Sequence, residues 1–401
     1  MKQLYWCLSP VVFCAVGMIG CSKHNDSSPT EPPQVIVTIS SIAPSTVKGG
    51  DIISVFGKNL SKDPVHTSLF INGKQAEITL SSNDSIKAIV PIKAGSGTVT
   101  LKIGDQSYDG PVCNYEYKVT VTTIAGNGNV GAADGPGLQS SFNCPWGIAS
   151  NKQGDLLIAD CYNRLIRKII APDYSVSTYV IPTLINGQNF YSPYNIAVDT
   201  ATQNMYVTDF NRHLMKMTAS GQMDVIYTDS MPLAGVAVDP SNTHLYVSNN
   251  TRGTIVRLDL YSQNIVPFAS NLTTPRNIIF NNKGQMFVAA YPGPIYQISS
   301  YGIATPIGTG TQFSGWEIAT DTLGNFFLAD HFNNNIRMID KFGNSKIIAG
   351  SGEGADVDGI GLQAAFDGPQ GITIDTKGNL YVTTYNYNTA AGNKVRKIVL
   401  E

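Results

Sequence analysis

The chain has 401 residues, of which 27 are basic and 29 acidic, and its formal net charge is −2. Hydrophobic residues make up 42% and charged residues 14% of the sequence, which is typical of a globular protein with apolar cores and excludes a disordered chain. No run of Lys and Arg occurs, so no nucleic-acid partner is expected, because phosphate neutralisation needs clustered cations. The length allows two or three domains.

The first 20 residues predict a signal peptide. Lys2 supplies a positive charge, Leu4 to Ile19 is an apolar stretch, and small residues lead to Cys21. This ending resembles the lipobox of bacterial lipoproteins, in which the cysteine is lipidated and becomes the mature N-terminus. The alternative is an ordinary secretory signal that a cysteine follows by chance. We expect lipidation of Cys21, with residues 21–34 as a flexible tether.

The predicted membrane attachment is through the lipid alone. No other segment reaches the roughly 18 apolar residues of a transmembrane helix. Position 22 is Ser rather than Asp, which resembles lipoproteins that are sent on to the outer membrane. We therefore expect a protein lipid-anchored to the outer membrane; the sequence is compatible with exposure at the cell surface and with the opposite orientation.

Residues 35–117 predict a separate β-sandwich. Short runs with strand character, such as Ile52 to Leu60, are separated by turn residues such as Asn72-Gly73. About seven short strands in roughly 85 residues are typical of a sandwich. The stretch VFGKNL, the hairpin FINGKQAEI and the turn Val90-Pro91 resemble the IPT/TIG immunoglobulin-like domain. That resemblance implies a spacer or a protein-contact module.

Six stretches between residues 118 and 401 repeat one pattern. Each has an apolar centre, a polar hairpin turn and an apolar-aromatic strand that ends in a polar loop. The centres are Ile148, Ile196, Val236, Ile278, Ile318 and Ile372. A period of about 40 residues built from short strands indicates a β-propeller. The predicted fold is all-β, with an N-terminal immunoglobulin-like β-sandwich followed by a six-bladed β-propeller.

The six units resemble NHL repeats, most closely in Leu156 to Lys168 and in Gly324 to Arg337. The third unit departs from the pattern with Asn249 in place of Asp, and the fourth with Ala290 and Tyr291. Some six-bladed relatives are metal-dependent hydrolases or lyases. The resemblance therefore implies the fold and leaves both an enzyme and a binding protein open.

Two glycine-rich segments, 123–135 and 347–359, are near copies. The second belongs to the outer strand of the fifth blade, whereas the first has no preceding blade. We expect Thr120–Ala125 to pair with Lys394–Leu400, because an N-terminal outer strand then completes the sixth blade and closes the ring. The glycines are interpreted as bends, since no phosphate-binding GxxxxGK[ST] motif is present.

Beyond the predicted lipidation site three cysteines remain, Cys113, Cys144 and Cys161. If residues 152–153 form a hairpin tip, Cys144 and Cys161 face each other on adjacent antiparallel strands. A disulfide between them is predicted. The alternative is two buried thiols near the end of the first blade.

The candidate binding residues lie where each unit's first strand begins and its second strand ends, at the mouth of the central channel. They mix aromatic rings with Asp, Asn and Arg, which suits the C–H faces and hydroxyl edges of sugars. The candidates are Trp146, Tyr194, Arg276, Trp316, Asp160, Asp209, Arg212, Asn249, Tyr291, Asp330, His331 and Tyr385; Tyr162, Phe210, Arg252, Phe332, Gln370 and Tyr387 lie at the same ends. For the three aspartates the alternative role is to cap their own turns.

The sequence favours a non-enzymatic protein that binds a glycan or a partner surface protein at this mouth. The combination of lipobox, sandwich and propeller looks like accessory lipoproteins of polysaccharide-uptake systems. The alternatives are a metal-assisted hydrolase or lyase and a protein–protein scaffold. No catalytic residue and no cofactor is predicted, although Ca²⁺ and Zn²⁺ are not excluded: His213 and His331 lack a third zinc ligand, and Asp209, Asn249 and Asp330 are the weak Ca²⁺ candidates.

Overall fold

The computed structural model describes residues 36–61, 63, 65–180, 192–218, 222–307, 315–389 and 391–401. The predicted signal peptide, the lipidation site Cys21 and the tether lie outside these ranges. Within them, no helix is long and apolar enough to cross a membrane.

The N-terminal unit is an all-β domain, as predicted. Its strands in the described ranges are β1 (Thr38–Ala43), β2 (Thr46–Val47), β3 (Ile52–Lys58), β4 (Thr67–Ile71), β5 (Lys74–Ser81), β6 (Ser85–Ile89), β7 (Gly97–Ile103) and β8 (Gln106–Tyr115). They pair in the order β1-β3-β6-β5-β4-β7-β8-β2. The start of β5 pairs with β4 and its remainder with β6, so one strand passes between the two sheets that enclose the core.

The turn between β4 and β5 explains why that hairpin was readable from sequence. Asn72 has φ 50° and Gly73 has φ 79°. A two-residue hairpin of type I′ needs this left-handed pair, which Asn-Gly adopts most readily.

The remaining strands form the six predicted propeller blades. Blade 1 contains β10 (Pro145–Ser150), β11 (Leu156–Asp160), β12 (Leu165–Ile170) and β13 (Ser175–Val180); blade 2 contains β14 (Pro193–Val198), β15 (Met205–Asp209), β16 (His213–Met217) and β17 (Met223–Thr228); blade 3 contains β18 (Val236–Val238), β19 (His244–Asn249), β20 (Thr254–Asp259) and β21 (Ile265–Ala269). Blade 4 contains β22 (Pro275–Phe280), β23 (Met286–Ala290), β24 (Ile295–Ile298) and β25 (Ala304–Ile307); blade 5 contains β26 (Gly315–Thr320), β27 (Phe326–Asp330), β28 (Asn335–Ile339) and β29 (Ser345–Ala349). Single 3₁₀ turns occur at Gly137–Gln139, His331–Asn333 and Gly361–Gln363.

Blade 6 closes the ring in the predicted way. It contains β9 (Val119–Ala125), β31 (Pro369–Ile374), β32 (Leu380–Tyr385) and β33 (Gly392–Leu400), and β9 pairs with β33 over its whole length. Val121 faces Ile398, and both are buried. A short strand, β30 (Gly359–Ile360), pairs with the outer side of β9; the sequence did not predict it.

The second strand of each blade is buried on both faces. Every residue of β11, β15, β23 and β27 is buried. These strands lie between neighbouring blades, so their sequences are nearly continuous apolar runs rather than alternating ones.

Each glycine-rich copy surrounds a buried arginine. Arg167 donates hydrogen bonds of 2.7–2.9 Å to two carbonyl oxygens and two carboxylates, those of Ala133, Asp134, Ser141 and Asp160. A matching set surrounds Arg396, with the acceptors Asp356, Val357, Asp358 and Ala365. The bends that the glycines allow therefore bring carbonyl groups to a guanidinium group, which explains why the two segments resemble each other.

The N-terminal domain contacts the propeller at the end away from the mouth. Lys93 Nζ donates to the Lys377 carbonyl oxygen (2.8 Å), in the hairpin turn between β31 and β32. Lys341, in the turn after β28, bonds to Asn72 of the N-terminal domain. A cleft of about 280 Å³ lies between the two domains, lined in part by Tyr117 and Leu323.

Candidate ligand-binding site

The second residue of each blade's inner strand, or of the segment leading into it, points to one shared place. We call these six residues the mouth ring: Trp146, Tyr194, Ala234, Arg276, Trp316 and Gln370. The register explains the position: Pro145 lies opposite Asp160 and Gly315 opposite Asp330, so each inner strand begins beside the end of the second strand.

Hydroxyl groups of one blade hold the mouth ring of the next. Thr383 Oγ1 donates to the Trp146 carbonyl oxygen (2.6 Å), and Ser248 Oγ donates to that of Arg276 (2.6 Å). Thr208 donates likewise to Ala234 (2.5 Å). Because the donors are buried, these bonds fix the backbone from which the mouth residues extend.

The aromatic members of the mouth ring contact one another across the channel. The Trp146 ring lies 4.4 Å from Tyr194 and 4.8 Å from Trp316, measured between centroids. The Arg276 guanidinium lies 4.8 Å from the Trp316 centroid and donates to the Tyr194 hydroxyl (2.6 Å). These four side chains, each from a different blade, form one continuous surface, which we call the floor.

A second tier of aromatic side chains surrounds this floor and is open to solvent. Phe210, Phe332 and Tyr387 are 39%, 56% and 38% exposed. Phe210 and Tyr387 contact Trp146 at centroid distances of 5.3 and 5.7 Å. Phe332 stacks on Tyr291 at 5.4 Å. We call Phe210, Phe332 and Tyr387 the aromatic rim.

Polar atoms at the floor are buried without a hydrogen-bond partner among the described residues. They are Nε1 of Trp146, Nε1 of Trp316, Nε of Arg276 and Oε1 of Gln370. Buried donors and acceptors are nearly always paired in folded proteins. Three donors and one acceptor at one place therefore point to a ligand with hydroxyl or acidic oxygens.

Below the mouth ring lies a lower ring formed by the next residue of each blade, Gly147, Asn195, Gly235, Asn277, Glu317 and Gly371. Asn195 Oδ1 accepts from Val236 N (3.0 Å), and Asn277 Oδ1 accepts from Ile318 N (3.2 Å). The glycines are sterically required: a Cβ on Gly235 would lie 2.1 Å from the Arg276 carbonyl oxygen. Its polar side chains Asn195, Asn277 and Glu317 are buried.

Glu317 links three blades in the lower ring. Its Oε1 accepts from Asn195 Nδ2 (2.6 Å) and its Oε2 accepts from Ile372 N (3.2 Å). Burial raises the pKa of Glu317 to about 8, and these two hydrogen bonds lower it only in part. The side chain is therefore mainly protonated, and uncharged, at neutral pH.

Several predicted site residues do meet at the mouth. Trp146, Tyr194, Arg276 and Trp316 form the floor, and Tyr291 and His331 lie 6.1 and 5.0 Å from Trp316. Burial lowers the pKa of His331, so its ring is neutral near pH 7. Tyr385 is buried and lies 5.0 Å from Tyr387.

The three predicted aspartates do not face the mouth; they bind their own blades. Asp160 accepts from Arg167 and Asn163 (2.9 and 2.8 Å), and burial raises its pKa to about 6. Asp209 accepts from the backbone N–H of His213 (2.8 Å). Asp330 accepts from Asn333 Nδ2 (2.9 Å). The turn-capping alternative describes them, because short acidic side chains after a strand reach their own loop amides first.

Asn249 and Arg212, which were predicted to lie at the mouth, do not belong to its aromatic floor. Asn249 is buried, and its Oδ1 accepts from Arg252 N (3.0 Å), which caps its own turn. Arg212 is exposed beside blade 3, where it donates to the Ser230 carbonyl oxygen (3.2 Å). It lies outside the aromatic floor.

The structure shows no disulfide between Cys144 and Cys161. Both are buried free thiols, next to each other in one cluster with Trp146. The predicted register holds at Pro145 and Asp160, and Cys161 N donates to the Cys144 carbonyl oxygen (3.1 Å). The pairing geometry was therefore anticipated, and the alternative of two buried thiols is the one observed.

No metal-binding group is formed within the described ranges. In these ranges no group of three or more His, Cys, Asp or Glu side chains is arranged so that it could hold a metal ion. Asp209, Asn249 and Asp330 lie in different blades with their side chains turned to their own loops, so the residues proposed for Ca²⁺ do not form one site.

Glu317, Asn195 and Asn277 were missed in the sequence. Aligning the six repeats would have shown that their position holds glycine in three blades and a polar residue in the other three. Only the ring geometry reveals that these side chains reach the next blade's amide.

Comparison with known proteins agrees with this architecture. Residues 37–121 match the IPT/TIG domain and residues 142–169 match the NHL repeat. The chain therefore carries an IPT/TIG domain before a six-bladed propeller whose first blade contains an NHL repeat. No curated protein matches the chain.

Solved structures with the same fold span both domains. A protein of unknown function from Bacteroides thetaiotaomicron VPI-5482 has a TM-score of 0.63 and 19% identity, covering 93% of this chain and 100% of its own. An auxiliary nutrient binding protein from the same organism has a TM-score of 0.58 and 18% identity, covering 92% and 99%. Another such protein, from Bacteroides ovatus ATCC 8483, has 0.57 and 17%, also covering 92% and 99%. At these identities the likeness establishes the fold.

Proposed function

We propose that this protein is a non-enzymatic, lipid-anchored accessory protein of the outer membrane that binds a glycan at the propeller mouth. It would serve a polysaccharide-uptake system by holding the glycan. The mouth ring and the aromatic rim are the binding surface.

The observation that carries the proposal is the unpaired polar atoms set in an aromatic floor. Sugar rings present C–H faces that pack on aromatic side chains and hydroxyl groups at their edges. The indole N–H groups of Trp146 and Trp316 and the carbonyl oxygen of Gln370 are unpaired and closed to solvent, so they would meet such hydroxyls once a ligand turns these side chains. The exposed rim then gives a second set of faces to adjacent sugar units.

The arrangement of domains is consistent with this role. The N-terminal domain contacts the hairpin-turn end of the propeller, so the mouth opens at the opposite end. A tether that precedes this domain would hold the mouth away from the membrane. Two proteins of the same fold are described as auxiliary nutrient binding proteins.

The two tryptophans make the mouth directly measurable. The sequence has three Trp residues, and the third, Trp6, lies in the predicted signal peptide. Intrinsic fluorescence of residues 22–401 therefore reports on Trp146 and Trp316 alone. We expect glycans selected on an array to change this fluorescence in a saturable way.

The matched variants separate the mouth from the rest of the surface. Trp316→Ala should weaken glycan binding by at least about tenfold, because stacking and one hydrogen bond are lost together. Tyr261→Ala removes a 99% exposed aromatic residue in blade 3 outside the mouth and should leave affinity unchanged. Equal affinity in both variants, with both folded, would refute a glycan site at the mouth; a protein ligand with the same Trp316 dependence would support the scaffold alternative.

A further inference from the structure

The mouth is asymmetric in charge. Aromatic side chains come from blades 4, 5, 6, 1 and 2, whereas blade 3 contributes only Ala234 to the mouth ring. Around that gap lie Arg212, Arg252 and Arg276, from blades 2, 3 and 4. We propose that the glycan bound at the mouth is acidic, carrying carboxylate or sulfate groups, and that Arg276 binds one of them. This rests on the proposed function and specifies its ligand.

Arg276 is held in position with donors to spare. Its guanidinium lies 4.8 and 5.9 Å from the ring centroids of Trp316 and Tyr291. One Nη donates to the Tyr194 hydroxyl (2.6 Å), while Nε is buried and unpaired. A guanidinium group orients its N–H groups in a fixed fork that matches planar or tetrahedral oxyanions. Contact with the rings limits rotation of the Arg276 side chain, so the side chain loses little conformational entropy when a ligand binds.

No carboxylate neutralises Arg276 in the described part of the chain, where it forms no ion pair within 4.0 Å. Acidic residues are also missing from the sequences 181–191 and 308–314, which precede Tyr194 and Trp316. Asp160 is neutralised by its ion pair with Arg167, whereas Asp367 lies beside His331 and accepts a hydrogen bond from the uncharged Asn386 amide (2.6 Å). A half-buried guanidinium group without an ion-pair partner among the described residues favours an anionic ligand.

The acid below the floor does not oppose an anion. Glu317 is the carboxyl group of the lower ring, and its pKa, raised by burial to about 8, keeps it mainly uncharged at neutral pH. Its two oxygens are occupied by Asn195 and Ile372. The floor thus presents a net positive charge from Arg276.

The neighbouring arginines extend this positive side to the surface. Arg252 donates to Ser230 Oγ, and its Nη1 lies 3.7 Å from Asp229. Arg212 donates to the Ser230 carbonyl oxygen. Two cations with one buried aspartate leave an excess positive charge beside blade 3, where further acidic groups of a chain-like glycan would lie.

The test uses residues 22–401 on an array of neutral, carboxylated and sulfated oligosaccharides. The strongest binder is then titrated by tryptophan fluorescence beside its carboxyl-reduced or desulfated counterpart. We expect the acidic form to bind about tenfold to a hundredfold more tightly, the range for charged hydrogen bonds. Raising NaCl from 50 to 500 mM should weaken the acidic form only, since salt screens charge interactions.

Arg276→Gln should abolish the preference for the acidic form. Lys283→Gln removes an exposed charge from the hairpin turn of the same blade, at the opposite end, and should retain the preference. If Arg276→Gln does not fold, the salt dependence of the unmodified chain is the test: weakening of the acidic form alone supports the proposal, and equal affinities in 50 and 500 mM NaCl contradict it. Binding of neutral glycans with equal affinity and with loss in Trp316→Ala would overturn the acidic ligand and leave the glycan site standing. Failure of every glycan to bind would overturn both proposals, and acidic binding unchanged in Trp316→Ala would place it outside the mouth.

Discussion

At the scale of single residues, the raised pKa of Glu317 is expected to make the stability of the fold depend on pH. Its folded pKa of about 8 exceeds the ordinary value of 4.5, so the folded state retains its proton where the unfolded state has lost it. The stabilisation is complete below pH 4.5 and declines as pH rises towards 8. We expect this residue to reduce the free energy of unfolding by roughly 3 kcal/mol between pH 4.5 and 7.

Glu317→Gln should flatten this part of the pH profile. The variant loses one acceptor for Asn195 or Ile372, which costs about 1 kcal/mol, so it should be less stable than the original chain at pH 4.5 and more stable at pH 8. Thermal unfolding across this range measures the crossing. Glu77→Gln, on the exposed surface of β5, provides the control and should follow the original profile. Parallel profiles for Glu317→Gln and the original chain would show that this carboxyl is ionised when folded.

The sequence predicts the positions of residues that the repeat fixes. It does not predict the positions of side chains that several neighbouring groups could bind. Trp146 and Trp316 were placed correctly because equivalent positions of a closed ring must converge. Asp160 was misplaced because the sequence does not show that Arg167, seven residues later, takes its carboxylate. Cys144 and Cys161 were brought close by the register, but adjacency alone does not decide whether two thiols bond.

At the scale of elements, the closing strand is the feature on which the propeller depends. β9 buries Val121 and Ile124 against blade 6 and its neighbours. Each such side chain contributes about 1.5–3 kcal/mol on burial, and without β9 the edge of β33 would be free to pair with other chains.

Two truncations separate the closing strand from the N-terminal domain. A chain of residues 118–401 keeps β9, whereas residues 126–401 lack it. We expect the shorter chain to unfold at least about 10 °C lower and to aggregate, and the longer one to remain a folded monomer; calorimetry and light scattering measure both. Equal stability of the two chains would mean that the ring does not need this closure.

Closure was foreseen because the chain lacks one strand at its end and has one to spare before blade 1. The two-residue strand β30 was not foreseen, since Gly359–Ile360 has no strand pattern of its own. It pairs only because the loop around Arg396 carries it past β9.

At the scale of the whole molecule, the structure adds the relation between the domains. Sequence patterns define each unit by its own core, but the orientation follows from a few contacts such as that of Lys93 with Lys377. No periodicity encodes those contacts. The consequence is a mouth that faces away from the N-terminal domain.

Membrane attachment can be tested independently of binding. We expect Cys21→Ser to shift the protein from the detergent phase to the aqueous phase after expression in a Gram-negative host, because the lipid would be the only anchor. Cys113→Ser, a change inside the N-terminal core, serves as the control and should stay in the detergent phase. An aqueous-phase original chain would contradict the lipid anchor while leaving the mouth unaffected.

The most direct measurement of the central claim is a crystal structure of residues 22–401 with the strongest glycan from the array. The account predicts a sugar ring packed on Trp146 or Trp316, with oxygens bonded to the indole Nε1 atoms and to Arg276. A glycan bound in the cleft between the domains, or anywhere else with the floor unchanged, would contradict it.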